Sequence, residues 1–286
     1  MSNPKFTIIT PTYDREDLVQ ITIQSIINQT FKDWELLLVD DGSTDNTEQT
    51  IQQYLQDTRI KYIKKKNSGQ ADSLNVGASH ATGSFITFLD SDDEAYPNWL
   101  EVVNTNLKED THVVCVGAIR KLIDGSLIKE GLDALRVSGE IVRSKFTCGS
   151  LFLKPSVFLA IGGYDSDMKS NIQTDLGYRL LTYLEKTGIK ILAVHEHLVQ
   201  INVHDGPRIR TNWEKLRMGS MQFLKKHYDF IHKNNPKDIS NIYAVIAFSN
   251  YKLKQRRESV RYLLKAIRLN PYTTANYLRV FKYTFL

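Results

Sequence analysis

Cysteine is nearly absent: Cys115 and Cys148 are the only two in 286 residues. That excludes a disulfide framework and points to a reducing compartment. Both lie among apolar neighbours, so buried and inert thiols are expected. Long apolar runs are missing too, none reaching the roughly 18–20 residues that cross a membrane. The first residues, Met1-Ser2-Asn3-Pro4-Lys5, lack the apolar core of a secretion signal. No zinc-finger or RNA-binding pattern is present, and the basic residues read as scattered solvated positions, so nucleic acid is not expected as a partner. His195-Glu196-His197 has strand spacing but no further ligands at zinc-like spacing, so these histidines read as structural.

What is present describes an ordinary globular chain, with 42% hydrophobic and 24% charged residues, able to bury a sizeable core. Net charge is +5, with a pI near 9.0. Residues 6–10, 35–39, 60–63 and 85–89 read as strands, with helices at 14–28, from 45 to about 56, and 70–81 between them. Asp45-Asn46-Thr47-Glu48 has capping-box spacing and opens the second helix. Strand–helix alternation with short connections predicts parallel strands and right-handed crossovers. Ligands of such sheets gather beyond the carboxyl ends of the strands.

Polar segments fall at those four ends. They are Pro11-Thr12-Tyr13-Asp14, Asp40-Asp41-Gly42-Ser43, the segment 64–69, and Asp90-Ser91-Asp92-Asp93. The last is followed by Glu94, and so many carboxylates together either hold a cation or form a solvated acidic turn. Hard oxygen donors suit Mg²⁺ or Mn²⁺. Further strands are expected at 113–118, 150–153 and 189–194, with a polar insertion over 121–144 and a helix over 174–186. Thr211-Asn212-Trp213-Glu214 reads as a capping box opening a helix to about residue 231. Residues 241–269 read as two amphipathic helices broken near 252–256 and stopped by Pro271. Tyr243, Ala247, Leu263 and Ala266 are spaced as in one tetratricopeptide-like unit or a plain helical hairpin. The segment 277–286 sets Arg279 and Lys282 among aromatics, open to core packing or a membrane surface.

Ile8-Ile9-Thr10-Pro11-Thr12-Tyr13, Ser25 through Phe31, and Trp34 through Asp45 resemble the family 2 glycosyltransferases. So do Asn67-Ser68-Gly69-Gln70, Leu74-Asn75-Val76-Gly77, Ala81-Thr82-Gly83 and Phe88 through Asp93. The resemblance covers about the first 210 residues and is densest up to Asp93. It implies an α/β GT-A fold, Rossmann-like with a mostly parallel central sheet flanked by helices. That domain would span 1–210, with a C-terminal helical region over 211–286.

By position, the resemblance assigns nucleotide-sugar binding to Pro11, Thr12, Tyr13, Asp40, Asp41, Asn67 and Gln70. It adds Asp90, Ser91, Asp93 and, in a segment closing over the diphosphate, Arg208. Asp90-Ser91-Asp92 matches the metal-binding D-x-D motif, with Asp92 the direct ligand, Asp90 beside it and His204 a further ligand. Asp175 falls at the general base, with Thr174 where the family carries Glu. The implied function is an inverting, Mn²⁺- or Mg²⁺-dependent transferase. It would move sugar from a nucleotide diphosphate sugar, a UDP-sugar first, to a hydroxyl on a saccharide, lipid-linked or protein acceptor, in surface polysaccharide or glycoconjugate synthesis. Residence would be cytoplasmic, with peripheral attachment at the inner membrane face open through the C-terminal helices. The alternative is a non-catalytic nucleotide-sugar-binding or scaffold module. A sugar-1-phosphate nucleotidyltransferase would need a glycine-rich basic loop after the first strand, which Pro11-Thr12-Tyr13-Asp14 is not.

Overall fold

The computed structural model describes residues 3–204 and 212–285. They cluster as two compact units, one of 3–134, 142–166 and 179–204, the other of 135–141, 167–178 and 212–285.

The first unit is built on a nine-stranded mixed sheet. It opens with β1 (Phe6–Thr12), α1 (Val19–Ile27), β2 (Trp34–Asp40), α2 (Thr47–Gln52), β3 (Ile60–Lys64), α3 (Gln70–His80) and β4 (Phe85–Phe88). These four strands lie parallel in the order β3-β2-β1-β4. Every residue of β1 and β2 is buried, as expected of parallel strands covered on both faces, and the polar residues among them, such as Thr7 and Glu35, bond to each other inside. Then come β5 (Glu94–Ala95), α4 (Trp99–Asn106), β6 (Val113–Lys121), β7 (Leu127–Glu130), β8 (Asp133–Val137), β9 (Glu140–Ser144), β10 (Leu151–Leu153) and α5 (Pro155–Ala160). The helix α6 (Ile172–Thr187) and β11 (Ile191–Asn202) follow. The sheet continues β4-β10-β6-β11-β5 with β7 on β6, and β8 with β9 makes a separate two-stranded sheet. β10, β5 and β7 run against the rest, so the sheet is mostly parallel.

The core beside this sheet follows from helical spacing. α1 buries Val19, Ile23 and Ile26 at i, i+4 and i+7, and α4 buries Trp99, Leu100 and Val103. Phe152 joins Phe6 at 5.6 Å and Trp99 at 5.1 Å between ring centroids. Each such fully buried side chain contributes about 1.5–3 kcal/mol.

Four local expectations are corrected. The first helix starts at Val19 rather than Asp14, because Asp14 takes a φ of +48° and its carboxylate accepts the Thr44 N–H at 2.8 Å. The capping box before α2 does not close. Asp45 accepts from Thr47 N and Oγ1, while Glu48 turns to Lys64 at 2.6 Å. The insertion over 121–144 carries the three strands β7 to β9. β11 runs on to Asn202, with register shifts on either side of His197.

The second unit contains four long helices, α7 (Trp213–Asn234), α8 (Pro236–Lys252), α9 (Arg256–Leu269) and α10 (Thr274–Phe285). Asn212 caps α7 by accepting the Lys215 N–H at 3.0 Å, and Glu214 pairs with Arg217 instead of reaching back. Thr211, the expected cap, lies outside the described residues. Ala247, Leu263 and Ala266 are fully buried. On α10 Tyr283 stacks on Tyr251 at 4.0 Å, while Tyr277, Leu278 and Phe281 are exposed. Gly219 of α7 has no room for a Cβ, which would stand 2.2 Å from Ser170 Oγ. That close approach brings α7 against the segment leading into α6.

Candidate functional site

Because β1, β2, β3 and β4 are parallel neighbours, their carboxyl ends share one edge of the sheet. Pro11 and Thr12 are buried at the end of β1, and Tyr13 stands nearly half exposed just beyond. The Asp14 carboxylate, with slight burial and then Asp41 and Asp45 behind it, pushes the Tyr13 phenol above its ordinary pKa. A neutral ring at a rim of carboxylates offers a stacking face.

The two aspartates after β2 do different things. Asp40 has no exposed surface: Oδ1 accepts from Ser43 N (2.8 Å) and Oγ (2.6 Å), and Oδ2 from the Tyr62 hydroxyl at 2.5 Å. Burial, then Asp40, raises the Tyr62 pKa and keeps that hydroxyl a donor. Asp40 thus builds the turn. Asp41 instead reaches the start of α3, accepting from Ser68 N at 2.9 Å, Gly69 N at 2.8 Å and Lys65 Nζ at 2.5 Å. Lys65 also bridges to Asp72 at 3.0 Å. Gly42, at φ +79°, lets the turn lie on this loop, since a Cβ would meet Asn67 N and Lys65 O at 3.1 Å. Asn67 is exposed.

The acidic turn lies past the end of β4. Ligand oxygens of Asp90, Asp92 and Asp93 fall within 4.8 Å of one another. Gln70 Nε2 at 2.8 Å and Cys148 Sγ at 3.1 Å both donate to Asp90 Oδ1. His204 Nε2 lies 2.8 Å from Asp92 Oδ2. Ser91 is buried, and Thr22 Oγ1 donates to the Asp93 carbonyl at 2.7 Å. From the end of β11, Asn202 donates its N–H to Asp93 Oδ1 at 2.9 Å and its amide to the Asp92 carbonyl and Glu94, each at 3.0 Å. The described donors to these carboxylates include Gln70, Cys148, the Asn202 N–H and, at Asp92, the His204 imidazole. Burial, then the Asp90 charge, holds the Cys148 thiol well above its usual pKa. Three oxygen donors and an imidazole in half-buried surroundings fit a hard divalent cation, and Asp90, Asp92, Asp93 and His204 are the residues that would hold it. Cys115 is inert, its thiol pushed up to about 12 by burial.

Asp175 belongs to the second unit, in the first turn of α6. It has no exposed surface, and its Oδ1 receives both Lys226 Nζ and His227 Nε2 of α7 at 2.8 Å. Arg208, in the 205–211 segment, lies outside the described residues.

The family profile described as Glycosyl transferase family 2 matches residues 7–163, more than half of the chain. The chain belongs to that family. A GalNAc(5)-diNAcBac-PP-undecaprenol beta-1,3-glucosyltransferase of Campylobacter jejuni is 39% identical over 131 residues, 44% of this chain and 42% of that protein. An uncharacterized glycosyltransferase of Rickettsia conorii is 33% identical over 141 residues, so the chain spans only 23% of that relative's length. The S. aureus TarS 1-349 crystal structure, in complex with UDP-GlcNAc, superposes with a TM-score of 0.65 at 19% identity, covering 93% of this chain and 81% of that one. PcManGT, a mannosyltransferase of Pyrobaculum calidifontis in complex with GDP-Man and Mn2+, gives 0.59 at 14%, covering 98% and 79%. At such identities the superpositions establish the GT-A fold alone.

Several contacts of the candidate residues in this family 2 member carry no sequence signal. Asn202 stands 109 residues from Asp93, and Cys148 stands 58 from Asp90. Lys226 and His227 meet Asp175 only through the folding of α7. Lys65 sits in a Lys64-Lys65-Lys66 run that reads as solvated, yet its ammonium is tucked between Asp41 and Asp72.

Proposed function

We propose that the chain is an inverting, divalent-metal-dependent glycosyltransferase. It would move a sugar from a nucleotide diphosphate sugar, a UDP-sugar, to an acceptor hydroxyl in surface polysaccharide or glycoconjugate synthesis. The observation that carries this reading is the Asp90-Asp92-Asp93 cluster within 4.8 Å at the strand ends. The names of the relatives support it: UDP-GlcNAc in TarS, Mn2+ with GDP-Man in PcManGT, and an undecaprenol-linked substrate in the Campylobacter enzyme's name.

In this reading Asp41 and the start of α3 receive the base and ribose, with Pro11, Thr12 and Asn67 lining that end and Tyr13 stacking on its rim. Asp40 keeps the Asp41 turn in place. Gln70 and Asn202 orient Asp90 and Asp93, and Ser91 seats the turn between them. Mg²⁺ or Mn²⁺, when bound, supplies charge neutralisation for a departing diphosphate. His204 and Arg208 close the phosphate end. Asp175 takes the proton from the acceptor hydroxyl, in a single displacement. Peripheral attachment at the inner membrane face belongs to the same reading, through the exposed Tyr277, Leu278 and Phe281 beside Arg279 and Lys282. No helix among the described residues is long and apolar enough to cross a membrane.

One observation favours a second reading of Asp175. A carboxylate with no exposed surface and two α7 donors on one oxygen also suits a structural anchor, and with it a non-catalytic nucleotide-sugar-binding module. Asp175→Asn separates the two. As the base, its loss lowers transfer by about 10²- to 10⁴-fold with UDP binding retained. As an anchor, the variant melts earlier and its residual folded fraction turns over normally.

A further inference from the structure

The excess positive charge of the chain is not spread along it. Residues 212–286 hold 15 lysines and arginines against 4 acidic residues, while residues 1–211 hold 22 against 28. The helical region alone is therefore at +11, and it carries a groove of about 260 Å³ between α7, α8 and α9. Leu224 and Ile246 form its buried floor. Tyr228, Tyr243 and Tyr262 line its walls, and Lys225 and Lys265 stand at its rim.

Helical spacing builds the groove. Leu224, Lys225 and Tyr228 share one face of α7, Tyr243 and Ile246 one face of α8, and Tyr262 and Lys265 one face of α9. The Lys265 ammonium sits 4.9 Å from the Tyr262 ring centroid and 5.6 Å from that of Tyr243. It engages aromatic faces rather than a carboxylate, and neither it nor Lys225 forms an ion pair among the described residues. Tyr228 is 39% exposed, so the groove is open to solvent.

We propose that this groove binds an anionic saccharide chain, one ring seated on the tyrosines and its carboxylate or phosphate met by Lys225 and Lys265. Phenol rings offer flat apolar faces with a polar tip, which suits a pyranose whose C–H bonds lie on one side and hydroxyls at its edge. Two ammonium groups with no ion pair among the described residues, in a strongly basic unit, select a negatively charged chain over a neutral one. The volume falls below the roughly 300–1,000 Å³ of sites that enclose a whole drug-sized ligand, and so fits one residue of a longer chain. Naming that chain the acceptor rests on the transfer reading above. The binding site itself does not.

The test titrates the full chain, by calorimetry, with an oligogalacturonate, a phosphorylated mannan oligosaccharide and neutral maltoheptaose. The oligogalacturonate and mannan arms tell carboxylate from phosphate. At least one charged glycan is expected to bind about tenfold or more tighter than the neutral one. Lys225→Gln/Lys265→Gln, and separately Tyr228→Ala, should remove that difference while the Mn²⁺–UDP thermal shift stays as in the parent chain. That shift reads the donor site independently, so failure of the groove and failure of the transferase reading are distinguishable. The proposal is overturned if no charged glycan binds, if maltoheptaose binds equally well, or if the double variant binds as the parent does. Loss in that variant of binding only to phosphatidylcholine–phosphatidylglycerol vesicles would overturn it in favour of a lipid surface.

Discussion

His204 Nε2 lies 2.8 Å from Asp92 Oδ2, joining the end of β11 to the acidic turn after β4 across 112 positions of sequence. That contact places the imidazole beside the Asp90-Asp92-Asp93 cluster, where a divalent cation would sit. Thermal unfolding with UDP and Mn²⁺ should show a shift that EDTA removes. At a hundredfold excess over Kd the stabilisation is about 2.7 kcal/mol. Asp92→Asn should abolish that shift, and His204→Ala should weaken it. An EDTA-insensitive shift of equal size would sink the metal reading.

Asn202 holds the same turn through its backbone N–H and its side-chain amide. Replacing it with alanine removes its side-chain bonds to the Asp92 carbonyl and Glu94 and the one its Oδ1 accepts from Gln200. A loss of about 1–3 kcal/mol in urea unfolding is expected, with weaker Mn²⁺-dependent UDP binding. Unchanged binding in Asn202→Ala would mean the turn is set by its own backbone.

Glu35 carries a pH dependence. Burial opposes ionisation, but Lys61, Thr7 and Thr82 donate to the carboxylate and leave its pKa below the ordinary value. A depressed carboxyl stabilises the fold above its unfolded pKa, near 4.3, and that contribution is lost as acidity passes down through the lower folded value. Urea midpoints should therefore fall as pH drops below about 4.5. Glu35→Gln should be less stable at neutral pH and show a shallower decline. A parallel decline in both proteins would remove Glu35 as the cause.

Gly42 shapes the turn that carries Asp41. An alanine there needs a φ of +79° and sets its Cβ 3.1 Å from two backbone atoms. Gly42→Ala should cost about 1–3 kcal/mol of stability and weaken UDP binding by shifting the Asp41 turn. Wild-type affinity in a stably folded variant would separate that turn from the nucleotide.

The alternation of β1 through β4 was legible because buried parallel strands and amphipathic helices print different periods on a chain. The acidic turn was legible because four carboxylates in five positions break every local preference. Helix starts were not. The onset of α1 depends on Asp14 reaching Thr44, and that of α2 on Asp45 serving Thr47 and Glu16 at once. The strands of the 121–144 insertion were hidden because β7 and most of β8 and β9 are exposed or half-exposed and so carry no continuous apolar run.

By itself the sequence determined the family, the GT-A sheet and the strand ends where polar residues gather, since these are set by local periodicity and short motifs. Only tertiary structure decided which donors each carboxylate meets. Asp40 and Asp41 are adjacent and chemically identical, yet one is sealed by Ser43 and Tyr62 while the other faces the start of α3. Asp175 likewise owes its two partners to a helix that begins 38 residues later. A carboxylate's chemistry depends on burial and on donors brought from afar, and those are properties of packing.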